Sequence, residues 1–558
     1  MAGWFFRMLY PLFAVAFCLF TNYQLLIGYC KFLPTFIPRI ARGKFACTMN
    51  HLPAVDLVII VIYFAAMIAV GVYMSRKNKG SDQYTVASGA IPGWALGLSF
   101  YATFLSAITF LGDPGKSFGA NWNSFVFSLS MPFAAFIASR FFVPFYRNSE
   151  TISAYTHLEE RFGPWARTYA MICFVLIQLA RMGTIFYSIA LTLKALTGFS
   201  MPAIMISTGI CIIAYTMMGG MKAVIWTEVV QAIIKTLGAL LILYLITSQL
   251  KGGFHYIIET GKIEDKFSLG SFKISQFSMA TFWVVFLYGF FINLNNFGID
   301  QNYIQRYHTA RNNRDASRSI WMCVLFYVPV SMLFFFIGTS LYAYYHQHPE
   351  LILPLQQQVS AEKNIALNHL TPADYGDRVL PYFMRTEVPT GLLGLIIAAI
   401  LSAAMSTMSS GMNSSATVFL KDIYLRYFNK DASAKAQMRV LYIATAVMGV
   451  MAISFGIGMI GVKSLLDAWW KLAGIFSGGI LGLFLLGLLA RKAKNIEAAI
   501  AVIIGVLVII WLTFSRQLPD DYAWLRTNLH ANMTIVIGTL TIFLTGKFLA
   551  SRRKTPNA

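Results

Sequence analysis

Residues 391–420 read GLLGLIIAAILSAAMSTMSSGMNSSATVFL, an apolar stretch that also carries a run of neutral side-chain oxygens. At about 100° per residue and with Ser402 as origin, Ser406 falls at about +40°, Ser409 at about −20°, Ser410 at about +80° and Asn413 at about +20°. These residues share one face, with Thr407 at its edge. Closely spaced neutral oxygens suit a hard monovalent cation that must be bound and then released. Small and hydroxyl side chains also line ordinary contacts between membrane helices, so the stripe taken alone supports either reading.

Ionisable groups within apolar stretches are few. Glu228 lies in MKAVIWTEVVQ, Arg181 in LIQLARMGTIFY, and Asp467 and Lys471 in LLDAWWKLAG. Charge inside a bilayer is expensive and marks a functional position by default. For Asp467 and Lys471 the plainer alternative is a mutual i,i+4 pair at the interface. For Arg181 it is a structural pairing with Glu228.

These side chains need elements to hold them. The chain has 558 residues, of which 57% are hydrophobic, 15% aromatic and 12% charged. That balance describes an all-α polytopic membrane protein. A β-barrel is excluded, because the apolar runs are long and do not alternate. About thirteen spans are expected. Their approximate ranges are 54–74, 94–112, 123–146, 167–196, 201–218, 222–249, 277–298, 319–343, 388–420, 438–459, 464–490, 496–515 and 531–549. The net charge of +21 is carried by short loops rather than by a nucleic-acid-binding patch. Arg76/Lys77/Lys79, Arg306/Arg311/Arg314/Arg318, Lys421 to Arg439, Arg491/Lys492/Lys494 and Arg552/Arg553/Lys554 fall in every second loop, which puts the C-terminus inside. Residues 1–48 hold five Lys or Arg and no acid; they read as a doubtful extension or removable leader before Met49.

Two spans look interrupted. In 99–119, SFYATFLSAITFLGDPGKSFG, polar Ser106 and Thr109 precede Gly112, Pro114 and Gly115; in 289–300, GFFINLNNFGID, three asparagines precede Gly298 and Asp300. Broken helices at matching places in two halves point to a transporter's binding site, since each break frees carbonyls and amides. Other chemistry finds no support. GDPGKS lacks the first glycine of a phosphate loop. The eight histidines fall in or beside loops, which disfavours an intramembrane haem, and the six cysteines show no metal-binding spacing. A membrane-embedded sensor or enzyme would need a cytoplasmic domain or a catalytic constellation; neither is visible. A sodium-independent facilitator remains a rival.

The strings GWALGLSFYATFLSAITFLG, SAYTHLEERFG, YTMMGGMKAVIWTEVVQ, GIDQNYIQRY and AAMSTMSSGMNSSATVFLKDIY, in this order, resemble the sodium:solute symporter family, and within it the bacterial sialic acid transporter branch. The resemblance implies a LeuT-type 5+5 inverted repeat: first helix and loop at 49–92, repeat one at 93–250, an outer loop at 251–276, repeat two at 277–490 with an outer loop at 344–387, and two C-terminal helices with a basic tail at 491–558. It implies a multi-pass protein of the inner membrane, functional as a monomer, with no cofactor besides sodium as coupling ion. The main sodium site would be Ala102, Leu105, Ala403, Ser406 and Thr407. A second would be Glu228, Ser406, Ser409 and Ser410, where the family's usual acid is Asp. Arg181 would pair with a solute carboxylate, with Ser106, Thr109 and Asn293 as polar contacts. Phe104, Ser124 and Ser128 stand where sialic acid transporters have threonine, phenylalanine and glutamine. Trp469 and Trp470 would form the outer gate. The implied activity is sodium-driven import of a small polar solute, an anionic sugar acid such as sialic acid, with neutral sugars, amino acids or carboxylates as alternatives.

Overall fold

The computed structural model describes residues 52–75, 81–87, 91–148 and 152–552. The proposed leader at 1–48 and the basic cluster at residues 76–79 lie outside them. Among the described residues ten helices are long and apolar enough to cross a membrane, and two bent pairs bring the candidates to twelve; a shorter apolar helix, Met201–Met217, stands where the remaining span was expected. Large apolar side chains such as Phe136, Leu237, Leu507 and Phe548 are exposed on these helices, as a lipid-facing surface requires.

Helix α1 covers Ala54–Ser75. The first bent pair is α2, Gly93–Phe104, and α3, Ala107–Gly119, which meet at 56°. The helical path ends because Leu105 and Ser106 adopt extended backbone, and the Ser106 hydroxyl restarts it by accepting from the Ile108 N–H. The break therefore precedes the Gly112–Gly115 segment read from sequence, and α3 runs through Pro114. The glycines serve a different purpose. A Cβ on Gly112 would come within 3.2 Å of Leu466, and one on Gly115 would collide with Asp377, so these positions admit close neighbours.

A segmented span, Trp122–Arg147, follows. Then come α4, Pro164–Thr197, and α5, Met201–Ser248. At Gly220 (φ 60°, ψ −175°) α5 leaves helical geometry, which divides it into the two spans expected. The second bent pair is α6, Phe282–Gly298, and α7, Gln301–Thr309, at 45°. Here the break falls where the sequence placed it, and Asp300 caps α7 by accepting from the Asn302 N–H.

Helix α8 covers Asn313–Gln347, and α9, Pro372–Glu387, lies in the long loop that follows. The stripe-bearing α10, Leu392–Val418, is buried on nearly every side. Helices α11, Ala434–Gly458, α12, Leu465–Leu489, α13, Asn495–Phe514, and α14, Met533–Arg552, complete the chain. The core lies where α10 passes between α5 and the α2–α3 break; a Cβ on Gly238 of α5 would sit 2.3 Å from the Ala399 Cβ of α10.

Candidate functional site

The broken end of α2 leaves the carbonyls of Ala102 and Leu105 without helical partners above them. Both turn toward α10, as the sequence implied, and Ser406 Oγ joins them. What they surround is a side chain: Lys235 Nζ of α5 donates to Ala102 O at 2.6 Å, Leu105 O at 2.8 Å and Ser406 Oγ at 3.0 Å. Three donors meet three acceptors, so the ammonium is fully satisfied. Lys235 and Ser406 are both wholly buried. The Ser406 hydroxyl proton goes in turn to Ala102 O at 2.9 Å. The remaining two residues of the expected main site stand aside. Thr407 Oγ1 shares its one proton between Thr103 O at 3.2 Å and Ala403 O at 3.3 Å, and Ala403 O stays within its own helix.

The expected second site is also differently built. Glu228 is paired with Arg306 of α7, whose Nη2 lies 2.8 Å from each carboxylate oxygen. The hydroxyls of Ser99 and Ser410 donate to the same carboxylate, and Thr103 Oγ1 does so at 3.3 Å. Arg306 also donates to Ser99 Oγ at 2.8 Å and to Thr103 Oγ1 at 2.9 Å. Ser409 takes no part; its hydroxyl donates to Ser406 O at 3.2 Å. Thus Glu228 and Ser410 come together, Ser406 and Ser409 do not join them, and a guanidinium binds both. The rest of the stripe packs: Ser402 Oγ donates to Gln231 O, and Asn413 accepts from Gln305.

Directly beyond the α2–α3 break is a partly open cavity of about 50 Å³. Phe104, Ser106, Thr109, Arg181, Ser124, Ser128, Trp469 and Trp470 all line it. Arg181 is 7% exposed; it donates to Thr103 O at 2.9 Å and lies 5.8 Å from the Trp469 ring centre. Its partner is not Glu228, and it forms no ion pair among the described residues. Asn293 is not in the lining: its amide donates toward Phe127 O and Ser130 Oγ, and Asn296, a turn further on, lines the cavity instead. Asp113, buried on α3, is a further lining group.

A wider vestibule of about 550 Å³ shares Ser124 and Trp470 with this cavity and is edged by Lys116, Lys471 and His530. Asp467 pairs with Lys116 at 2.6 Å, not with Lys471. Lys471 is left facing the vestibule. Asp467 cancels Lys116, and burial lowers the His530 pKa, so the vestibule's net positive charge comes from Lys471.

Three groups escaped the sequence reading. Lys235 stands seven residues after Glu228, on the same helical face of a span that otherwise looks apolar; that spacing was the available signal. Arg306 reads as a loop residue because QNYIQRYH is polar, yet α7 is buried except at His308 and Arg306 has no solvent exposure. Asp113 lies in the glycine–proline segment that suggested a break.

Comparison with known proteins gives a consistent picture. The profile described as the sodium:solute symporter family matches residues 84–505. The chain is 31% identical to the sodium/sialic acid symporter SiaT of Proteus mirabilis, over 86% of this chain and 93% of that protein. It is likewise 31% identical to the sodium/sialic acid symporter NanT of Aliivibrio fischeri, over 86% and 91%. Human sodium-coupled monocarboxylate transporter 1 is 27% identical over 82% of this chain and 73% of its own. Among solved structures, a substrate-bound, outward-open Na⁺-coupled sialic acid symporter superposes with a TM-score of 0.78 at 29% identity, covering 90% of this chain and 98% of that one. The nucleobase-cation-symport transporter Mhp1 shares the fold at a TM-score of 0.52 and 13% identity. The architecture is the LeuT-type fold expected from the sequence.

Proposed function

Because the chain belongs to the sodium:solute symporter family, we propose that it is a secondary active symporter importing a small, polar, carboxylate-bearing solute, with a sialic acid as the first candidate. The observation that carries this reading is Arg181: a permanently charged, nearly buried guanidinium that forms no direct ion pair among the described residues, although it interacts with the buried Asp300 carboxylate, at the wall of a cavity beside two broken helices. A solute carboxylate would supply the direct ion pair that Asp300 does not make. Ser106, Thr109, Ser124 and Ser128 offer hydroxyls suited to a polyhydroxylated body, and Asp113 is placed to accept from solute hydroxyl or amide protons.

Alternating access follows from the architecture. The cavity of about 50 Å³ is too small for a nine-carbon sugar acid, so entry requires Trp469 and Trp470 to withdraw toward the vestibule. Trp470 stacks on Phe127 at 5.4 Å, and its carbonyl accepts from Tyr288 at 2.8 Å, so opening exchanges a defined set of contacts. Sodium as the driving ion is supported by the family and by the names of the relatives. One observation favours a second reading, a carrier that moves the same solute without sodium: the Lys235 ammonium among the oxygens of the main site.

The test is uptake of labelled N-acetylneuraminic acid into proteoliposomes holding the purified chain, with sodium or choline outside. Uptake above empty vesicles supports the transport reading, and its dependence on sodium separates the two forms. No uptake of sialic acid, monocarboxylates or other sugar acids would remove it.

A further inference from the structure

A sodium ion does not fit among Ala102, Leu105 and Ser406 as the chain folds, because Lys235 Nζ already lies within 3.0 Å of all three oxygens. We propose that Lys235 is a covalently tethered occupant of the main cation position, so that this chain binds no sodium there. The inference rests on the transporter reading for the meaning of the position, but its test does not require the solute.

Four observations converge on it. First, the ammonium's three hydrogen bonds go to the two carbonyls freed by the α2–α3 break and to the central hydroxyl of the α10 stripe. Lys235 thereby ties the broken helix to α10, the mechanical task a bound cation would perform. Second, the site has no room for a second charge. Lys235 is fully buried, and two cations sharing the same oxygens within a few ångströms would repel by several kcal/mol even at a surface-like dielectric. Third, the lysine is held in register by packing: Gly238, one turn further along α5, allows the contact with Ala399 of α10. Fourth, the neighbouring acidic position shows the same design independently: the Arg306 guanidinium binds both Glu228 and Ser410, which are also bonded to each other. Both positions where the family resemblance puts sodium thus carry a cation belonging to the protein itself.

The experiment compares thermal unfolding of the purified full-length chain in sodium chloride and in choline chloride at equal ionic strength, together with equilibrium binding of radioactive sodium. The wild-type chain is expected to unfold at the same temperature in both salts and to bind no stoichiometric sodium. Lys235→Met keeps the aliphatic stem and removes the ammonium, leaving Ala102 O, Leu105 O and Ser406 Oγ unfilled. It is expected to unfold at lower temperature in choline and to recover several degrees in sodium, with recovery lost on adding Ser406→Ala. Saturable, stoichiometric sodium binding by the wild type that Ser406→Ala abolishes would overturn the proposal. So would a folded Lys235→Met chain indifferent to sodium. Should Lys235→Met not fold, sodium binding by the wild type alone still decides. Failure of N-acetylneuraminic acid uptake would count against the transport reading and leave these ion measurements unaffected.

Discussion

Arg306 and Glu228 form a buried ion pair in which one guanidinium nitrogen lies 2.8 Å from both carboxylate oxygens and neither side chain has any solvent exposure. The pair joins α7, the short arm of the second broken helix, to α5. It survives burial because Ser99, Thr103 and Ser410 complete the carboxylate's hydrogen bonds.

Removing one partner leaves a bare charge in a dry site. Arg306→Met alone should destabilise the chain by about 3–5 kcal/mol, and Glu228→Gln by a comparable amount, whereas the double variant should recover much of the loss. Thermal unfolding of the four proteins forms the double-mutant cycle. Additive losses would show that the two side chains act separately.

Arg181→Ala should weaken binding of an anionic solute by about 2 kcal/mol or more, roughly thirtyfold, because a charge-assisted contact is lost at a nearly buried side chain. Arg181→Lys should restore only part of it, since a lysine cannot reproduce the planar fork. Titration with the solute by calorimetry or thermal shift reads this directly. Unchanged affinity would mean that the solute is neutral or bound elsewhere.

Gly238 tests how the helices hold Lys235 in place. In an ordinary helix Gly→Ala is stabilising by up to about 1 kcal/mol. Here the added Cβ would lie 2.3 Å from Ala399 Cβ. Gly238→Ala should therefore be neutral or destabilising, and Gly238→Leu should cost about 1–3 kcal/mol through overpacking. Unfolding temperatures of both variants are the measurement, and stabilisation by Gly238→Leu would contradict the close contact.

The loop helix α9 carries a pH response. The Asp377 carboxylate abuts Gly115 and accepts from the Leu465 N–H at 2.7 Å. Burial pushes its pKa up to about 7, with Lys116 and Lys363 pulling down and Asp467 pushing up. A carboxyl raised above its unfolded value of 3.8 favours the docked form when protonated. Docking should thus weaken as pH rises from about 4 to 7 and stay level above that. Hydrogen exchange in residues 372–387 should quicken between about pH 4 and 7 and level off above, after correction for intrinsic rates, and Asp377→Asn should flatten the profile.

How legible this was in the sequence differed by element. The spans followed from composition, because twenty apolar residues in a row have few other fates in water or lipid. The break at Gly298–Asp300 was visible because the glycine and a capping aspartate coincide. The break at Leu105–Ser106 was displaced from its expected place because one serine hydroxyl suffices to restart a helix, while the more conspicuous Gly112 and Gly115 are used for close packing. The oxygens of Ala102, Leu105 and Ser406, named together through the resemblance, lie around a single nitrogen. That nitrogen was not legible, since it comes from α5, more than a hundred residues from either partner in the chain. Only the three-dimensional crossing brings Lys235 there.

A lysine fixed in the cation position changes the electrical account of a transport cycle. A mobile sodium ion crosses with the solute and cancels the charge of a monovalent anion. The Lys235 ammonium is bonded to α5 and stays behind. Each turnover would then carry the solute's own negative charge, and an inside-negative potential of 100 mV would oppose import by about 2.3 kcal/mol. On that account the membrane voltage, to which a one-to-one symport of sodium and a monovalent anion is indifferent, would become a load that import by this carrier has to overcome.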